Sequence, residues 1–283
     1  MLASIHRLGL VLGLTLCGAA MPAVAQDGDL VTFSTQTASV TYGPYGRFAL
    51  GTSANSYDNG RWQNGQGDPT ISFGLMDEDT GFGELAVGFD WQNGFRADLA
   101  FAHFGSANAI GPCVAVSDLT PCNDHADISA ATISTDTIMA NLFYAPMEHR
   151  GSNSVFQPFV MAGLGIAIND VGNWTREANP GSPAVNNVNP ADNRPFRTFE
   201  GNTEIEFAWS VGLGASWQVS RPGRHPVILE ASWRYFDLGT ASGGANPVPP
   251  SSINGNSSPT VPLTFDNTRQ VFSLGVRIPL QRL

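Results

Sequence analysis

Beyond its first 25 residues, the chain alternates apolar and polar residues over most of its length. The stretch EIEFAWSVGLGASW, residues 204–217, places Ile205, Phe207 and Trp217 on one side of an extended chain and glutamate, alanine, serine and glycine on the other. Successive side chains of a β-strand point to opposite faces, so a period of two indicates a strand with one apolar and one polar face. The pattern predicts an all-β protein.

The same alternation recurs in eight segments, separated by connections that are in turn short and long. The predicted strands cover residues 47–58, 82–91, 95–104, 135–146, 155–168, 204–217, 227–236 and 269–280. The short connections lie near 92–94, 146–154 and 220–225, and the long ones near 59–79, 105–134, 169–202 and 239–266. In the first short connection, Asn93-Gly94 is typical of a hairpin turn that needs positive φ angles.

The long connections are rich in Asn, Asp, Gly, Pro and Ser, which favours solvated loops. Structureless loops longer than about 12–15 residues are uncommon in compact soluble domains. Four of them, alternating with short turns, indicate an up-and-down meander whose two ends face different environments.

The sizes of the side chains on the two faces decide which face of the meander is inside. The apolar face carries Leu, Val, Phe and Trp, whereas the other face carries small and charged residues. An eight-stranded barrel is only just wide enough inside for its side chains, so the bulky face is expected to point outward, toward lipid. Closing the sheet then pairs every backbone polar group, as a membrane-spanning chain requires.

The predicted fold class is therefore all-β: an eight-stranded antiparallel up-and-down transmembrane β-barrel with four long extracellular loops and short periplasmic turns. Aromatic residues near the strand ends, among them Trp91, Tyr144 and Trp217, are typical of the two interface girdles of such barrels. An aromatic-rich soluble sandwich is the alternative architecture.

Four segments carry a family resemblance that spans about Tyr45 to Leu280. DTGFGELAVGFDWQNGFRADLAF, NLFYAP, QPFVMAGLGIA and FSLGVRIPL resemble the eight-stranded outer-membrane β-barrels of the opacity and OmpA-like porin family. The resemblance implies a Gram-negative outer membrane with both termini periplasmic, and as partners the outer-membrane lipid, lipopolysaccharide and the assembly machinery. The last strand of such proteins usually ends in an aromatic residue, whereas this chain ends in IPLQRL, so Leu280 or Leu283 would have to serve.

The first 25 residues have the pattern of a secretory signal peptide. Arg7 precedes an apolar run from Leu8 to about Ala20, and the small-x-small motif Ala23-Val24-Ala25 follows. The run is shorter than the roughly 20 residues of a spanning helix. The predicted division is 1–25 signal peptide, 26–44 short periplasmic N-terminal segment and 45–283 outer-membrane barrel.

Charge and composition narrow the classes of partner. The 14 basic residues are all arginine, and removing Arg7 leaves 13 of them against 24 acidic residues, a net charge of −11. That balance argues against nucleic acid as a partner. Charged residues make up 13% of the chain, about half the share of an ordinary soluble domain, which fits a surface that partly avoids water.

The two cysteines of the exported chain, Cys113 and Cys122, have eight residues between them. In an oxidising compartment this spacing predicts a disulfide that closes a small loop. Metal binding is the weaker alternative, since only His125 lies near them.

Nine charged residues fall on the predicted interior face of the strands, where charges must be paired to avoid a large desolvation penalty. They are Glu84, Asp90, Arg96, Asp98, Glu204, Glu206, Glu230, Arg234 and Arg277. Two interpretations stay open: a plug that stabilises the barrel, and a gate or narrow ion path.

Depth along the strands suggests how these charges pair. Asp90 and Arg96 fall opposite each other across the first hairpin, and Glu230 and Arg277 both lie near the short-turn end. Arg234 is predicted to join Glu204 and Glu206 near the long loops. Small residues such as Gly212 and Gly214 would leave interior room for longer side chains from neighbouring strands.

The sequence contains no clear catalytic or metal-binding motif, and no catalytic residue, metal or cofactor is predicted. Hydrolysis of a membrane lipid would need a serine with a histidine and an acid; His103 with Ser106 is the nearest approximation. The acidic run Asp77, Glu78 and Asp79 offers hard oxygen ligands for a divalent cation, but a solvated loop end is the simpler interpretation.

The expected function is structural and surface-exposed or adhesive: a barrel that anchors long loops, for which an extracellular ligand is a further expected partner. The first alternative is a narrow porin-like channel for small or hydrophobic solutes. The second is an outer-membrane lipid-modifying enzyme.

Overall fold

A computed structural model describes residues 43–76, 78–120, 122, 127–152, 154–178, 197–219, 227–249 and 258–280. The predicted signal peptide, residues 26–42 of the segment after it, Asp77, His125 and the C-terminal residues 281–283 lie outside the described residues. In the described residues the first strand runs from Gly43, so the last two residues of the predicted N-terminal segment belong to this strand.

The described residues form strands and one short helix. In chain order they are β1 Gly43–Gln63, β2 Ile71–Phe73, β3 Asp79–Asp90, β4 Phe95–Val116, β5 Asp127–Tyr144, α1 Pro146–His149, β6 Phe156–Val171, β7 Trp174–Ala178, β8 Arg197–Phe199, β9 Asn202–Gln218, β10 Ile228–Ser242 and β11 Val261–Pro279. Within this part of the chain, no helix has the length and apolar character needed to cross a membrane.

Eight of these strands close into a ring: β1, β3, β4, β5, β6, β9, β10 and β11, each antiparallel to its neighbours. The ring closes between β11 and β1, whose register runs from Tyr45 opposite Pro279 to Gln63 opposite Val261. The predicted eight-stranded antiparallel up-and-down barrel is confirmed.

Large apolar side chains cover the outside of the ring and form what is called here the apolar belt. Phe207 and Leu213, for example, are 63% and 56% exposed. The belt comprises Phe48, Leu50, Leu85, Val87, Phe89, Leu99, Phe101, Ile138, Leu142, Val160, Leu164, Ile166, Ile205, Phe207, Val211, Leu213, Trp217, Leu229, Phe272, Leu274 and Ile278. Soluble monomers rarely expose contiguous apolar patches beyond a few hundred Å², so this belt requires an apolar surrounding.

The height of the belt fits a bilayer. On β9 it extends from Ile205 to Trp217, about 40 Å along the strand at roughly 3.3 Å per residue. With the tilt of about 40° that is common in membrane barrels, this becomes about 30 Å, the thickness of the hydrocarbon core.

One end of the barrel, the turn end, carries the short connections. Between β3 and β4 the positive φ angles fall on Gln92 (58°) and Gly94 (84°). The assignment of positive φ to Asn93 was therefore wrong: its side-chain oxygen instead accepts a hydrogen bond from the Phe95 backbone N–H at 3.1 Å. At the next turn His149 packs against Tyr144 and Phe95, with ring centroids 5.5 and 5.8 Å apart.

The opposite end, the loop end, carries the long connections, and their described residues form strands where the composition suggested structureless loops. Several barrel strands continue beyond the belt through register shifts, as between Asp58 and Arg61 and between Asp237 and Thr240. Asn59 and Gly239 accommodate these bends with φ angles of 55° and 73°. Asparagine and glycine tolerate this left-handed region better than other residues.

The extended strands enclose a second hydrophobic core, the loop-end core. Trp174 stacks on Phe199 with ring centroids 4.4 Å apart, and its indole N–H donates to the Gly244 carbonyl at 2.8 Å. The core comprises Tyr57, Trp62, Ile71, Phe73, Leu75, Ala107, Ala109, Val116, Ala131, Ile133, Val171, Trp174, Phe199, Ala241, Leu263 and Phe265. Cys113 and Cys122 form a disulfide and pack against it, so the end of β4 is linked covalently to the connection that follows.

The apolar belt can be tested with one charge placed at mid-depth. Val211 lies midway between Ile205 and Trp217, so we expect Val211→Arg to lower the free energy of unfolding by about 2–4 kcal/mol in lipid vesicles. Gln270→Arg is the matched control at the rim of the belt, where the expected cost is about 0–1 kcal/mol. Guanidinium titrations monitored by tryptophan fluorescence measure both, and equal costs at the two depths would contradict the assignment of the belt to lipid.

Candidate functional site

The interior of the barrel near the turn end holds a set of buried ionic side chains, called here the charge network. It contains Arg47, Glu84, Asp90, Arg96, Asp98, Glu230, Arg234 and Arg277. Four guanidinium groups face four carboxylates, so the network has no net charge. This balance matters because an unpaired charge in a low-dielectric interior costs several kcal/mol.

One half of the network is centred on Glu84. Its two carboxylate oxygens take one arginine each: Oε1 accepts from Arg47 and Oε2 from Arg234 at 2.5 Å. Arg47 also contacts Asp98, with Nη2 and Oδ2 2.9 Å apart. Asn141 joins the two branches, since its amide donates to Asp98 at 2.7 Å and its oxygen accepts from Arg234 at 3.0 Å.

The other half is centred on Glu230. Oε1 of this carboxylate contacts Nη1 of Arg96 at 2.5 Å and Nε of Arg277 at 3.0 Å. Arg277 continues to Asp90 at 2.8 Å. The Arg96 guanidinium also lies over the rings of Phe143 and Phe159, 4.2 and 4.7 Å from their centroids, and such cation–π contacts replace part of its lost hydration.

Small residues make these long side chains fit. A Cβ at Gly212 would lie 2.7 Å from Cγ of Arg234, and one at Gly214 would lie 2.6 Å from the Phe159 ring. The prediction that the glycines of β9 leave interior room for neighbouring side chains is confirmed at these two positions. Ser210, on the same face of β9, accepts a hydrogen bond from Arg234 at 3.1 Å.

The pairing of Arg234 with Glu204 and Glu206 was wrong. Arg234 reaches across the lumen to Glu84 on β3, which is not a neighbour of β10 in the ring. Glu204 lies nearer the loop end and accepts from Ser242 at 2.5 Å and Asn202 at 3.2 Å. Glu206 packs beside Gly239: a Cβ atom added to Gly239 would lie 2.7 Å from the Cβ of Glu206.

The hairpin pairing also differs from expectation. Asp90 and Arg96 do lie opposite each other in the register of β3 and β4, but each forms its ion pair elsewhere, Asp90 with Arg277 and Arg96 with Glu230. Arg47 was not predicted as an interior charge, although it alternates with Phe48 and Leu50, whose side chains face outward from the same strand.

A layer of phenylalanines, called here the phenylalanine layer, fills the lumen beside the charge network. Phe104 on β4 contacts Phe236 on β10 across the barrel, with ring centroids 5.3 Å apart, and Phe82 packs against both at 5.2 and 6.2 Å. With Ala102, Met139, Ala167, Ala208, Leu238 and Val271 the cluster draws residues from seven of the eight barrel strands.

A polar layer separates the phenylalanine layer from the loop-end core. Arg269 is buried there and donates to Asn267 at 2.9 Å and to Asn55 at 2.6 Å. In the described part of the chain it has no carboxylate partner; the rings of Tyr57 and Phe104 lie 5.6 and 5.4 Å from its Cζ. This layer was not predicted, although Asn55 and Arg269 lie in two of the predicted strands, residues 47–58 and 269–280.

The turn end opens into a small cavity of about 40 Å³. Among the described residues, its lining includes polar atoms without a hydrogen-bond partner, on Arg96, Glu148 and Gln157. A space of this size is sufficient for water molecules that bridge such atoms. Burial raises the pKa of the Glu148 carboxyl above its usual range, and the neighbouring Asp90 carboxylate acts in the same direction.

Two candidate sites from the sequence lie outside the lumen. His103 is on the outer face of β4, directly opposite Asp136 on β5, and its Nδ1 lies 2.7 Å from Oδ1 of Asp136. Asp136 was not among the residues that the sequence singled out.

In the acidic run, Asp77 lies outside the described residues, and Glu78 accepts a hydrogen bond from the backbone N–H of Asn108. The described residues contain no cluster of three or more metal-ligating side chains.

No family model and no curated protein matches this chain. Solved structures that resemble it include Neisserial surface protein A (14% identity, 84% of this chain and 97% of the other, TM-score 0.45). A second is OprG from Pseudomonas aeruginosa (14% identity, 83% of this chain and 96% of the other, TM-score 0.40). A third is the outer membrane protease OmpT from Escherichia coli (11% identity, 85% of this chain and 99% of the other, TM-score 0.45). At these identities and scores, function has to be argued from the chain's own residues.

The charge network can be tested by removing one partner. We expect Arg234→Met to lower the free energy of unfolding by about 3–5 kcal/mol, because Glu84 keeps a buried charge with half of its compensation lost. The double variant Glu84→Gln/Arg234→Met should recover part of this loss. Equilibrium unfolding in vesicles measures both.

Glu204→Gln is the matched control, since Glu204 lies outside the network and is partly exposed. We expect it to cost less than about 1 kcal/mol, the range of exposed ionic interactions. If Glu204→Gln cost as much as Arg234→Met, the result would contradict the network and favour the pairing of Arg234 with Glu204 and Glu206 that the sequence predicted.

Proposed function

We propose that this protein is a structural barrel of a Gram-negative outer membrane, with both termini on the periplasmic side, that displays its loop end to the exterior. The belt of exposed apolar residues, with a height close to that of a hydrocarbon core, supports insertion in a membrane. The signal peptide pattern at residues 1–25 supports export. Contact with outer-membrane lipid, lipopolysaccharide and the assembly machinery belongs to the same proposal.

The filled lumen is the observation that carries the structural role. The charge network and the phenylalanine layer lie one above the other across the barrel. A cavity of about 10 Å³ beside Arg47 and Glu230 is large enough for about one water molecule. A filled lumen favours a barrel that anchors the loop end in the membrane over a barrel that conducts solutes.

The loop-end core adds a second support. Buried aromatic residues such as Trp174 and Phe199 anchor the described ends of the long connections in this core, and the disulfide between Cys113 and Cys122 links two further points at the loop end. A pre-organised surface loses less conformational entropy when it binds, which suits recognition of an extracellular ligand or adhesion.

The location is tested by fractionation of the full-length protein. We expect the mature chain in the outer-membrane fraction and its extraction only with detergent, because the apolar belt has to be covered. Recovery in the soluble periplasmic fraction without detergent would end the proposal.

The closed lumen is tested in planar lipid bilayers. We expect the purified protein to give no resolved single-channel current, because the charge network and the phenylalanine layer both fill the lumen. The triple variant Phe82→Ala/Phe104→Ala/Phe236→Ala removes only the phenylalanine layer, so we expect it to stay closed as well if it is folded by circular dichroism. Steady current from the unaltered protein would favour the narrow channel instead.

A further inference from the structure

A pocket with a volume of about 340 Å³ opens at the loop end of the barrel. This volume lies within the range of small-ligand pockets. Its lining includes Trp62, Asn64, Asp68, Pro69, Arg176 and Arg197. Trp62 belongs to the loop-end core and Pro69 adds an apolar surface, whereas the other four residues carry polar or charged groups. The pocket is therefore built on a packed core and combines a small apolar surface with charge.

Two arginines face each other in this pocket. Arg176 on β7 lies directly opposite Arg197 on β8, so both side chains point to the same side of the sheet. They are the next residues on that side after Trp174 and Phe199, the stacked pair of the loop-end core, about 7 Å farther along the strands. Like charges directly opposite each other destabilise a strand pair. An anion bound by both guanidinium groups removes this repulsion.

Residues at the end of β1 hold both guanidinium groups in place. Cζ of Arg176 lies 3.7 Å from the centroid of the Trp62 ring, and stacking of this kind orients the guanidinium plane. Nη1 of Arg197 donates to Oδ1 of Asn64 at 3.4 Å. A guanidinium group has five N–H donors in a planar fork, which matches the two oxygens of a carboxylate. Because the arginines are already positioned, less conformational entropy is lost when an anion binds.

Asp68 adds a hydrogen-bond acceptor to the pocket and limits its charge. Its Oδ2 accepts from the Asn64 amide at 3.0 Å and from the Gly65 backbone N–H at 2.9 Å. These two hydrogen bonds hold the pKa of the Asp68 carboxyl below its usual range. Oδ1 makes no hydrogen bond in the described part of the chain, so it can accept from a hydroxyl group. With two arginines and one carboxylate, the described lining matches a ligand that carries a single negative charge.

We propose that this pocket binds a hydroxylated carboxylate of the uronic acid class, an inference that rests on the proposed display of the loop end to the exterior. The ligand's carboxylate accepts hydrogen bonds from Arg176 and Arg197. One of its hydroxyl groups donates to Oδ1 of Asp68. The C–H face of the sugar ring lies against Pro69.

Charge selects this ligand over simpler anions and over neutral sugars. Sulfate brings a second negative charge close to the Asp68 carboxylate, and like charges at short distance repel each other. A neutral sugar supplies hydroxyl groups but no anion for the arginine pair. A uronate supplies one charge and several hydroxyl groups, and so provides a partner for each part of the lining.

The proposal is tested by equilibrium dialysis of the full-length mature protein in detergent micelles against radiolabelled glucuronate. We expect saturable binding of one glucuronate per barrel. Unlabelled glucuronate should displace the label at least tenfold more effectively than its methyl ester, which keeps the hydroxyl groups and lacks the charge. It should also be at least fivefold more effective than sulfate.

Each other outcome of the dialysis overturns a stated part of the proposal. Equal displacement by the methyl ester would contradict the role of the arginine pair. Equal displacement by sulfate would replace the sugar acid with a general anion site. Absence of saturable binding would overturn the site as a whole.

Two arginine variants separate the pocket from the general charge of the loop end. We expect Arg197→Gln to lower the affinity for glucuronate at least tenfold, because the carboxylate loses one of its two cationic partners. Arg61→Gln is the matched control: it removes the same charge from an exposed position at the same end of β1, outside the pocket lining. Its affinity should stay within twofold of the unaltered protein, and equal losses in the two variants would overturn the site.

Asp68→Asn tests the selection by charge. It removes the negative charge and keeps a side-chain oxygen, so the advantage of glucuronate over sulfate should fall below twofold; an unchanged advantage would contradict the role of Asp68. All variants are compared with the unaltered protein by circular dichroism. A folded, detergent-extracted barrel that binds no glucuronate refutes this site alone, whereas a soluble protein refutes the membrane location itself.

Discussion

The hydrogen-bonded seam between β1 and β11 is the interaction on which the rest of the structure depends. A backbone N–H or C=O left open in hydrocarbon costs several kcal/mol, so a sheet can cross a bilayer only as a closed ring. Closure with eight strands also sets the width of the lumen. That width is narrow enough for Arg234 on β10 to reach Glu84 on β3, and for three phenylalanine rings to meet near the axis.

Within this lumen, the choice of arginine as the only basic residue has a physical reason. A guanidinium group presents several donors in a planar fork, keeps its charge when buried and stacks on aromatic rings. Arg96 uses these properties together, between Glu230 and the rings of Phe143 and Phe159. A lysine ammonium is a compact, strongly hydrated point charge, so it would lose more on burial and could not stack in this way.

The fold could be predicted from the sequence because it depends on a local pattern. The alternation around Phe207 and Leu213 shows that the segment is a strand, which of its faces points outward, and how deep each residue lies along the barrel. The partners of the interior charges could not be predicted, because Arg234 and Glu84 are 150 residues apart and meet across the lumen rather than between adjacent strands. The loop-end core was missed for a different reason: Trp174 and Phe199 lie among turn-forming residues, and the strands there are polar outside, so the alternation that indicates a membrane strand is lost.

The seam also has a consequence for biogenesis. Its two strands come from opposite ends of the barrel sequence, and the Leu280 N–H bonds to the Pro44 carbonyl at 2.8 Å. Until β11 has been synthesised, β1 has an open edge, and an unpaired edge is a template for aggregation. The wall of the barrel therefore becomes continuous only when its last strand pairs with its first.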